Sequence, residues 1–264
     1  MAILTGVIRF IGGLGGIRHF KKLHDPNIYA SEKGGVPKSI YKKSPRFKNN
    51  RLSNVEFGGC ARAVKGIRGG LYQVIPEMVD GSFTDRLMKF ARNLTLQDKE
   101  GLIGQRSLRF STVRPSMKSL SFDKQHRAIY YAMHSLRSTH SEPRTDITLS
   151  VNGLNIKMMD SPSGATHYRI LSHASIVSDY CYSKMMKRYD PINPADGLRA
   201  FAYSDLARLG DDFTTQINIS FPEGTVLGDD CSVLHCVAIE FIQPNGGSNF
   251  RPIYGASMKM MDVF

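Results

Sequence analysis

Residues 53–71 read SNVEFGGCARAVKGIRGGL, and this stretch divides the chain into two dissimilar parts. Apolar residues recur in it at steps of three and four, which indicates an amphipathic helix. The predicted apolar face consists of Phe57, Cys60, Ala61, Val64, Ile67 and Leu71. Ser53 and Glu56 have the spacing of a capping box, in which each side chain satisfies an amide at the start of the helix. We therefore expect the helix to begin at Ser53.

The same helix carries a basic stripe and several glycines. The stripe consists of Arg62, Lys65 and Arg68. Gly58, Gly59 and Gly66 each cost about 0.5–1 kcal/mol relative to alanine in a helix. Because such a helix would be marginal by itself, we expect it to pack closely against a surface that requires small residues.

The positive charge of the chain is concentrated on the N-terminal side of this helix. Residues 1–68 hold 14 Lys and Arg against 3 Asp and Glu, and the whole chain has a net charge of +12. A neutral body with a basic segment of this kind is typical of proteins that contact nucleic acid, anionic surfaces or acidic protein faces. The glycines and prolines of residues 1–51 predict a short hairpin rather than a long helix, with strands near 16–22 and 28–33 joined through His24-Asp25-Pro26-Asn27.

Residues 32–51, EKGGVPKSIYKKSPRFKNNR, carry most of the candidate binding residues. The candidate phosphate contacts are Lys38, Lys42, Lys43, Arg46, Lys48 and Arg51. Ile40, Tyr41 and Phe47 are interleaved with them, and a purely solubilising tail has no need of apolar residues. Two interpretations remain open, a contact with an acidic polymer and an arm that lies on a neighbouring copy of the chain. Together with the basic stripe, these residues form the candidate nucleic-acid or partner-binding set.

The remainder of the chain predicts a second helix and then strands. The second helix is expected to start at Ser82, with Asp85 in its first turn. Residues 147–151 and 154–158 alternate between apolar and polar on either side of Asn152-Gly153, a pair that favours a two-residue hairpin turn. Further strand candidates are residues 167–171, 214–221, 232–243 and 250–261, with 244–248 joining the last two.

These patterns predict an α+β fold in three parts. Residues 1–51 form a basic, glycine-rich arm or hairpin, residues 52–104 a short helical segment, and residues 105–264 an antiparallel β-domain. Several short strands with turn residues between them are typical of a β-sandwich or barrel.

No catalytic or metal-binding pattern fits the sequence. In residues 12–18, GGLGGIR, Arg18 stands where the dinucleotide fingerprint requires its third glycine. His167 and His173 are six residues apart, so on one strand they would lie about 20 Å from each other, too far to share a metal ion. The four cysteines are widely spaced, which favours reduced thiols in the cytoplasm. We therefore expect no enzymatic activity, no cofactor, no catalytic residue, no metal site and no membrane insertion, and a location in the cytoplasm or within a virion or other assembled particle.

Two stretches of the chain resemble a known group of proteins. The first is GGIRHFKK…IYASEKGGVPKSI…PRFKNNRLSNVEFGGCARAVKGIR, and the second is GATHYRI together with VAIEFIQPNGGSNFRPIYGAS near the C-terminus. They resemble a family of uncharacterised basic proteins of Bacteroidota that share a GGI-FYK hairpin, an EKGG turn, a P-x-F…R-x-N…EFG helix start and a C-terminal β-domain. The resemblance implies a shared architecture in which the basic segment is an integral part, and it implies no activity.

Two functions follow as hypotheses. The first is a structural protein that assembles into homo-oligomers through its basic N-terminal arm, as a shell or virion component that also contacts nucleic acid. The second is a nucleic-acid-binding protein without sequence preference, because no base-reading module is recognisable. In either case we expect the nucleic acid to be contacted through residues 18–68.

Overall fold

The computed structural model describes residues 2–6, 10–22, 25–32, 34–72, 78–123, 128–245, 250–253 and 255–264. The chain divides into two compact units, Met1–Arg51 and Leu52–Phe264. Within the described ranges, no helix combines the length and the apolar character needed to cross a membrane.

The first unit begins with a small antiparallel sheet. Its strands are β1 (Ala2–Ile3), β2 (Gly12–Leu14), β3 (Ile17–Lys21) and β4 (Ile28–Glu32), in the spatial order β1-β4-β3-β2. The hairpin predicted near 16–22 and 28–33 is confirmed, because Ile17 pairs with Glu32 and Lys21 with Ile28. His24, in the predicted turn, and Lys33, at the predicted strand end, lie outside the described residues. No described side chain of this unit is buried.

Helices follow the small sheet. Helix α1 (Lys38–Lys43) leads through a 3-10 turn at Pro45–Phe47 into helix α2 (Lys48–Tyr72). The predicted start at Ser53 is therefore wrong, and Ser53 lies inside α2. No proline or glycine interrupts the chain between Pro45 and Gly58, so nothing in the backbone prevents the helix from extending toward the N-terminus.

The buried face of α2 differs from the predicted one at two positions. Its buried apolar residues are Cys60, Ala63, Val64, Ile67 and Leu71. Phe57, which is 56% exposed, and Ala61 lie beyond this stripe, so their assignment to the apolar face is wrong. The expected close packing of the glycines is confirmed at Gly59 and Gly66, which lie against Tyr189 and Tyr180, and is wrong at Gly58, which faces open space.

The described part of the second unit contains the remaining helices and eleven strands. Its further helices are α3 (Phe83–Gln97), α4 (Arg114–Met117) and α5 (Ala128–Ala132). The strands are β5 (Leu136–His140), β6 (Asp146–Leu154), β7 (His167–Ser178), β8 (Tyr180–Ser183), β9 (Arg188–Pro191), β10 (Arg199–Tyr203), β11 (Ala207–Arg208), β12 (Phe213–Ser220), β13 (Cys231–Pro244), β14 (Phe250–Pro252) and β15 (Ser257–Val263). The predicted start of the second helix is confirmed, since Ser82 is the N-cap residue of α3.

Strands β7 and β13 form the centre of this unit. They pair antiparallel, and β10 and β11 lie along the outer edge of β7 while β14 and β15 lie along that of β13. Residues such as Ile170 and Val237 pack against the three-stranded sheet β12-β6-β5. Leu171 and Cys236, on the opposite face, pack with the buried face of α2 and with α3. Both strands are almost entirely buried because both faces of their sheet are covered. The fold is α+β, with two antiparallel sheets packed together and a helical layer outside one of them.

The hairpin predicted at Asn152-Gly153 is wrong. Strand β6 continues through both residues to Leu154 and pairs with β12 throughout. Leu154 lies opposite Phe213 and Val151 opposite Thr215, so β6 has one more residue than β12 between these pairs and forms a β-bulge. Gly153 adopts a φ of 57°, which suits the bulge as well as it would suit a turn.

The strand predicted over residues 250–261 is divided in two. Strand β14 ends at Pro252 and β15 begins at Ser257. Pro252 pairs with Ile242 of β13, and Ser257 resumes the pairing at Ile239. Within the predicted connection 244–248, residues 246–248 lie outside the described part of the chain.

Candidate functional site

The basic residues predicted in the first unit lie on its surface. Lys38, Lys42 and Lys43 are exposed on α1, Arg46 is exposed in the 3-10 turn, and Lys48 is exposed at the start of α2. No described acidic residue lies within this stretch, because residues 34–51 contain none. The segment therefore presents one sign of charge to solvent, as a surface for anions does.

The apolar candidates of the same segment have different environments. The rings of Tyr41 and Phe47 pack together with their centroids 5.6 Å apart, and both side chains are half-buried. Ile40 is half-exposed. Arg51 donates hydrogen bonds to the carbonyl oxygens of Tyr41 (2.6 Å) and Ser44 (2.9 Å), so its guanidinium stabilises the end of α1. Arg51 is thereby a local structural residue in this unit.

The small sheet exposes a strip of aliphatic side chains that the sequence had not singled out. Leu14 of β2 is 68% exposed, and its partner across the strand pair, Ile17, is 45% exposed. Ile3 and Ile11 are also at least half-exposed. Ile3 pairs with Tyr29, which pairs with Phe20, so Ile3 lies on the opposite face of the sheet from Ile17. We call Leu14 and Ile17 the aliphatic strip. Apolar side chains concentrated on a sheet without buried residues are typical of an interaction surface.

In the second unit, Arg62 and Lys65 of the predicted set line two adjoining cavities of about 880 and 510 Å³. Helix α2 forms one wall, and the other is formed by the β8–β9 hairpin and the segment that leads to β10. We call this feature the helix–hairpin groove. Its cations are Arg62, Lys65, Lys187, Arg188 and Arg199. The third residue of the predicted stripe, Arg68, is half-buried and lines neither cavity.

Two carboxylates moderate the charge of the groove. Asp190 forms ion pairs with Arg62 (2.9 Å) and Arg188 (3.1 Å) and so holds both guanidinium groups beside the groove. Asp196 accepts hydrogen bonds from the Tyr180 hydroxyl (2.6 Å) and a backbone amide, and burial raises the pKa of this carboxyl above its usual range. Five cations against two carboxylates leave the groove with a net charge of +3.

The backbone of α2 is accessible in the groove. Gly66, Gly69 and Gly70 line the larger cavity, and Gly58 and Gly59 line the smaller one. A Cβ atom added at Gly58 or Gly69 would meet no atom within 4 Å, because both positions open into the groove. A ligand can therefore approach the helix more closely at these two positions than side chains normally allow.

Glu56, predicted as part of a capping box, has a different role. Its side chain is fully buried. One carboxylate oxygen lies 2.8 Å from the guanidinium of Arg92 in α3, and the other accepts a hydrogen bond from the backbone amide of Gly104 at 2.8 Å. Arg106 lies 3.7 Å from the second oxygen. The carboxylate thereby joins α2 to α3 and to the loop after α3. The sequence could have indicated this only through the position of Glu56 on the same helical face as Cys60 and Ala63.

Two buried histidines belong to the core rather than to a site. His235 lies between the sheets, with its ring nitrogens 2.7 Å from the Ser138 hydroxyl and 2.9 Å from the Ser172 hydroxyl. His173 is buried on the opposite face of the central sheet. Burial lowers the pKa of each histidine to about 4.

We expect these histidines to make stability depend on pH. Below a pH of about 6.5 the two histidines bind protons in the unfolded chain, whereas in the folded chain they stay neutral down to a pH of about 4. The free energy of unfolding therefore falls as the pH drops from 6.5 to 4. The loss should amount to at most about 3 kcal/mol per histidine. In His235→Gln, denaturant titrations should show a shallower dependence over this range than the unaltered chain shows. Identical slopes would contradict the assignment of a buried neutral His235.

Among the described residues, no group of three or more His, Cys, Asp or Glu side chains is arranged to hold a metal ion. Cys60, Cys231 and Cys236 are buried thiols, and Cys181 is an exposed one. Comparisons of the chain with protein-family models, with curated proteins and with solved structures gave no match.

Proposed function

We propose that this protein is a non-enzymatic structural protein that self-associates through residues 1–51. The supporting observation is that the first unit forms a four-stranded sheet without a single buried side chain among its described residues. Such a sheet lacks the apolar burial that normally stabilises strands in water. Contact of the aliphatic strip with a second copy would supply that burial.

The edges of the sheet offer a second mode of contact between copies. Strands β1 and β2 are the edge strands of the first unit, and each has only one neighbour within the described chain. An edge strand presents unpaired backbone amides and carbonyls, which a strand of a neighbouring copy can pair with. Both modes bring the first units of several copies together in a homo-oligomer, located in the cytoplasm or within a virion or other particle.

The test compares two variants of the first unit, one in which apolar residues are replaced and one in which basic residues are replaced. In Leu14→Ser/Ile17→Ser/Ile40→Ser, light scattering should report loss of self-association, because these half-exposed side chains contribute burial only in the assembly. In Lys42→Gln/Lys43→Gln/Arg46→Gln/Lys48→Gln, the assembly should persist, since rim charges contribute little to interface stability. Circular dichroism should show the same secondary structure in both variants.

A normal assembly in the apolar variant would contradict this proposal. If the charge variant then also lost its binding of nucleic acid, the second candidate function would be favoured, binding of nucleic acid without sequence preference. The observation in favour of that candidate is the exposed positive charge of residues 38–48. In that case the charge variant should bind a single strand with a weaker salt dependence. The plot of log binding constant against log salt concentration should become shallower by about 0.7 for each phosphate that no longer meets a cation.

A further inference from the structure

We propose that the helix–hairpin groove binds the sugar-phosphate backbone of a single-stranded nucleic acid. This site belongs to the second unit, and it is independent of whether residues 1–51 mediate self-association.

The groove concentrates positive charge from several elements of the fold. Its cations come from α2, from the β8–β9 hairpin and from the start of β10, so three separate elements converge on one concave surface. Surface cations are usually dispersed among acids, and a net charge of +3 in a single crevice concentrates the field that attracts an anion. Lys65 and Lys187 are both exposed, and among the described residues neither forms an ion pair. Both can therefore approach a phosphate directly.

Two arginines of the groove are held in place by one carboxylate. Asp190 binds Arg62 and Arg188 from one side and orders both guanidinium groups, while each keeps further N–H donors. Arginine recognises phosphate through two parallel N–H donors, and an ordered guanidinium loses less entropy when it binds. The carboxylate therefore positions the two arginines for a polyanion.

The shape of the groove indicates one strand rather than a duplex. The two cavities adjoin at Arg62 and Lys65, which line both of them, so the positive charge follows a continuous path along α2. A single strand can enter a crevice between a helix and a hairpin and track it, as backbones do in positively charged grooves. A duplex is wider and stiffer than a single strand, so we expect it to reach only the rim. At Gly58 and Gly69 the helix presents bare backbone, which lets a backbone approach closely.

The experiment measures binding of the full chain to a fluorescent oligothymidylate over a series of salt concentrations. In Lys65→Gln/Lys187→Gln, affinity should fall and the log–log salt slope should become shallower by about 1.4, because two phosphates would no longer meet a lysine. The matched control is Lys89→Gln/Lys157→Gln, which removes the same charge at exposed positions outside the groove. This control should bind as the unaltered chain does.

A second variant tests the shape without changing any charge. Gly69→Leu should weaken binding because its side chain would extend into the groove, where no neighbouring atom lies within 4 Å of the added Cβ. The fold should tolerate the change for the same reason, and thermal unfolding should confirm this. Unimpaired binding by Gly69→Leu would contradict a strand running along α2 at this position.

Three other outcomes would overturn the proposal. One is equal binding by the Lys65/Lys187 variant and its control, with loss of binding only in the charge variant of residues 42–48. Another is displacement of the oligothymidylate by inorganic phosphate or ATP at equal phosphate concentration, which would show a site for small phosphate ligands. The third is tighter binding of a duplex than of the single strand.

Discussion

Glu56→Ala is expected to lower the free energy of unfolding by about 3 kcal/mol, the largest effect expected for any single substitution proposed in this chain. Its buried carboxylate holds Arg92, Arg106 and the amide of Gly104, and each would lose its partner. The two arginines remain partly exposed to water, so the effect should lie at the lower end of the range for a broken buried ion pair. Urea titration followed by circular dichroism measures it.

Ser53→Ala is the matched control for Glu56→Ala. If Ser53 capped the helix, its loss would cost about 0.5–2 kcal/mol. Because Ser53 lies inside α2, we expect a change within about 0.5 kcal/mol. A larger effect at Ser53 than at Glu56 would contradict both the helix start at Lys48 and the buried ion pair.

The second large effect is expected at Gly59, where alanine should destabilise the fold, whereas alanine at the neighbouring Gly58 should stabilise it. A Cβ atom at Gly59 would lie 2.5 Å from two ring carbons of Tyr189, a side chain that is itself buried. Gly59→Ala should therefore destabilise the fold by about 1–3 kcal/mol, the usual cost of overpacking a core.

Gly58→Ala should instead stabilise the chain by about 0.5–1 kcal/mol, since alanine favours a helix and the added methyl group meets nothing within 4 Å. Thermal melts of the two variants side by side measure the contrast. Equal shifts of the melting temperature in the same direction would mean that α2 does not pack against the β8–β9 hairpin through Gly59.

The sequence predicted those features that depend on local patterns. Ser82 marks the start of α3, and the β3–β4 hairpin follows from the glycines and prolines of residues 1–51 and from a proline-containing turn. The α+β class also followed from the order of helical and alternating segments along the chain. Each of these depends on residues close together in sequence, which periodicity and turn chemistry report directly.

The predictions that were wrong concern local motifs whose role is changed by a partner far away in the sequence. Glu56 has capping-box spacing, but the arginines it binds lie 36 and 50 residues further along the chain. Asn152-Gly153 is a favourable turn sequence, yet pairing with β12 extends β6 through it as a bulge. Local propensity cannot report either partner, because the same residue types serve both arrangements.

The candidate site was predictable only in part. The basic stripe of α2 drew attention to Arg62 and Lys65, which line the groove. Lys187, Arg188 and Arg199 come from the opposite wall, more than 100 residues away, and nothing in their own sequence context indicates a site. The aliphatic strip was also missed, because exposure of an apolar residue is a property of the folded sheet.

Self-association through the first unit is tested most directly by the mass of the full chain in solution, compared with that of residues 48–264. The shorter chain retains the whole of α2 and lacks the small sheet and α1. In samples freed of nucleic acid, light scattering should give the full chain a mass of at least twice the 29.4 kDa of one chain, while the shorter chain is a monomer. A monomeric full chain, or an assembly that persists without residues 1–47, would contradict the account.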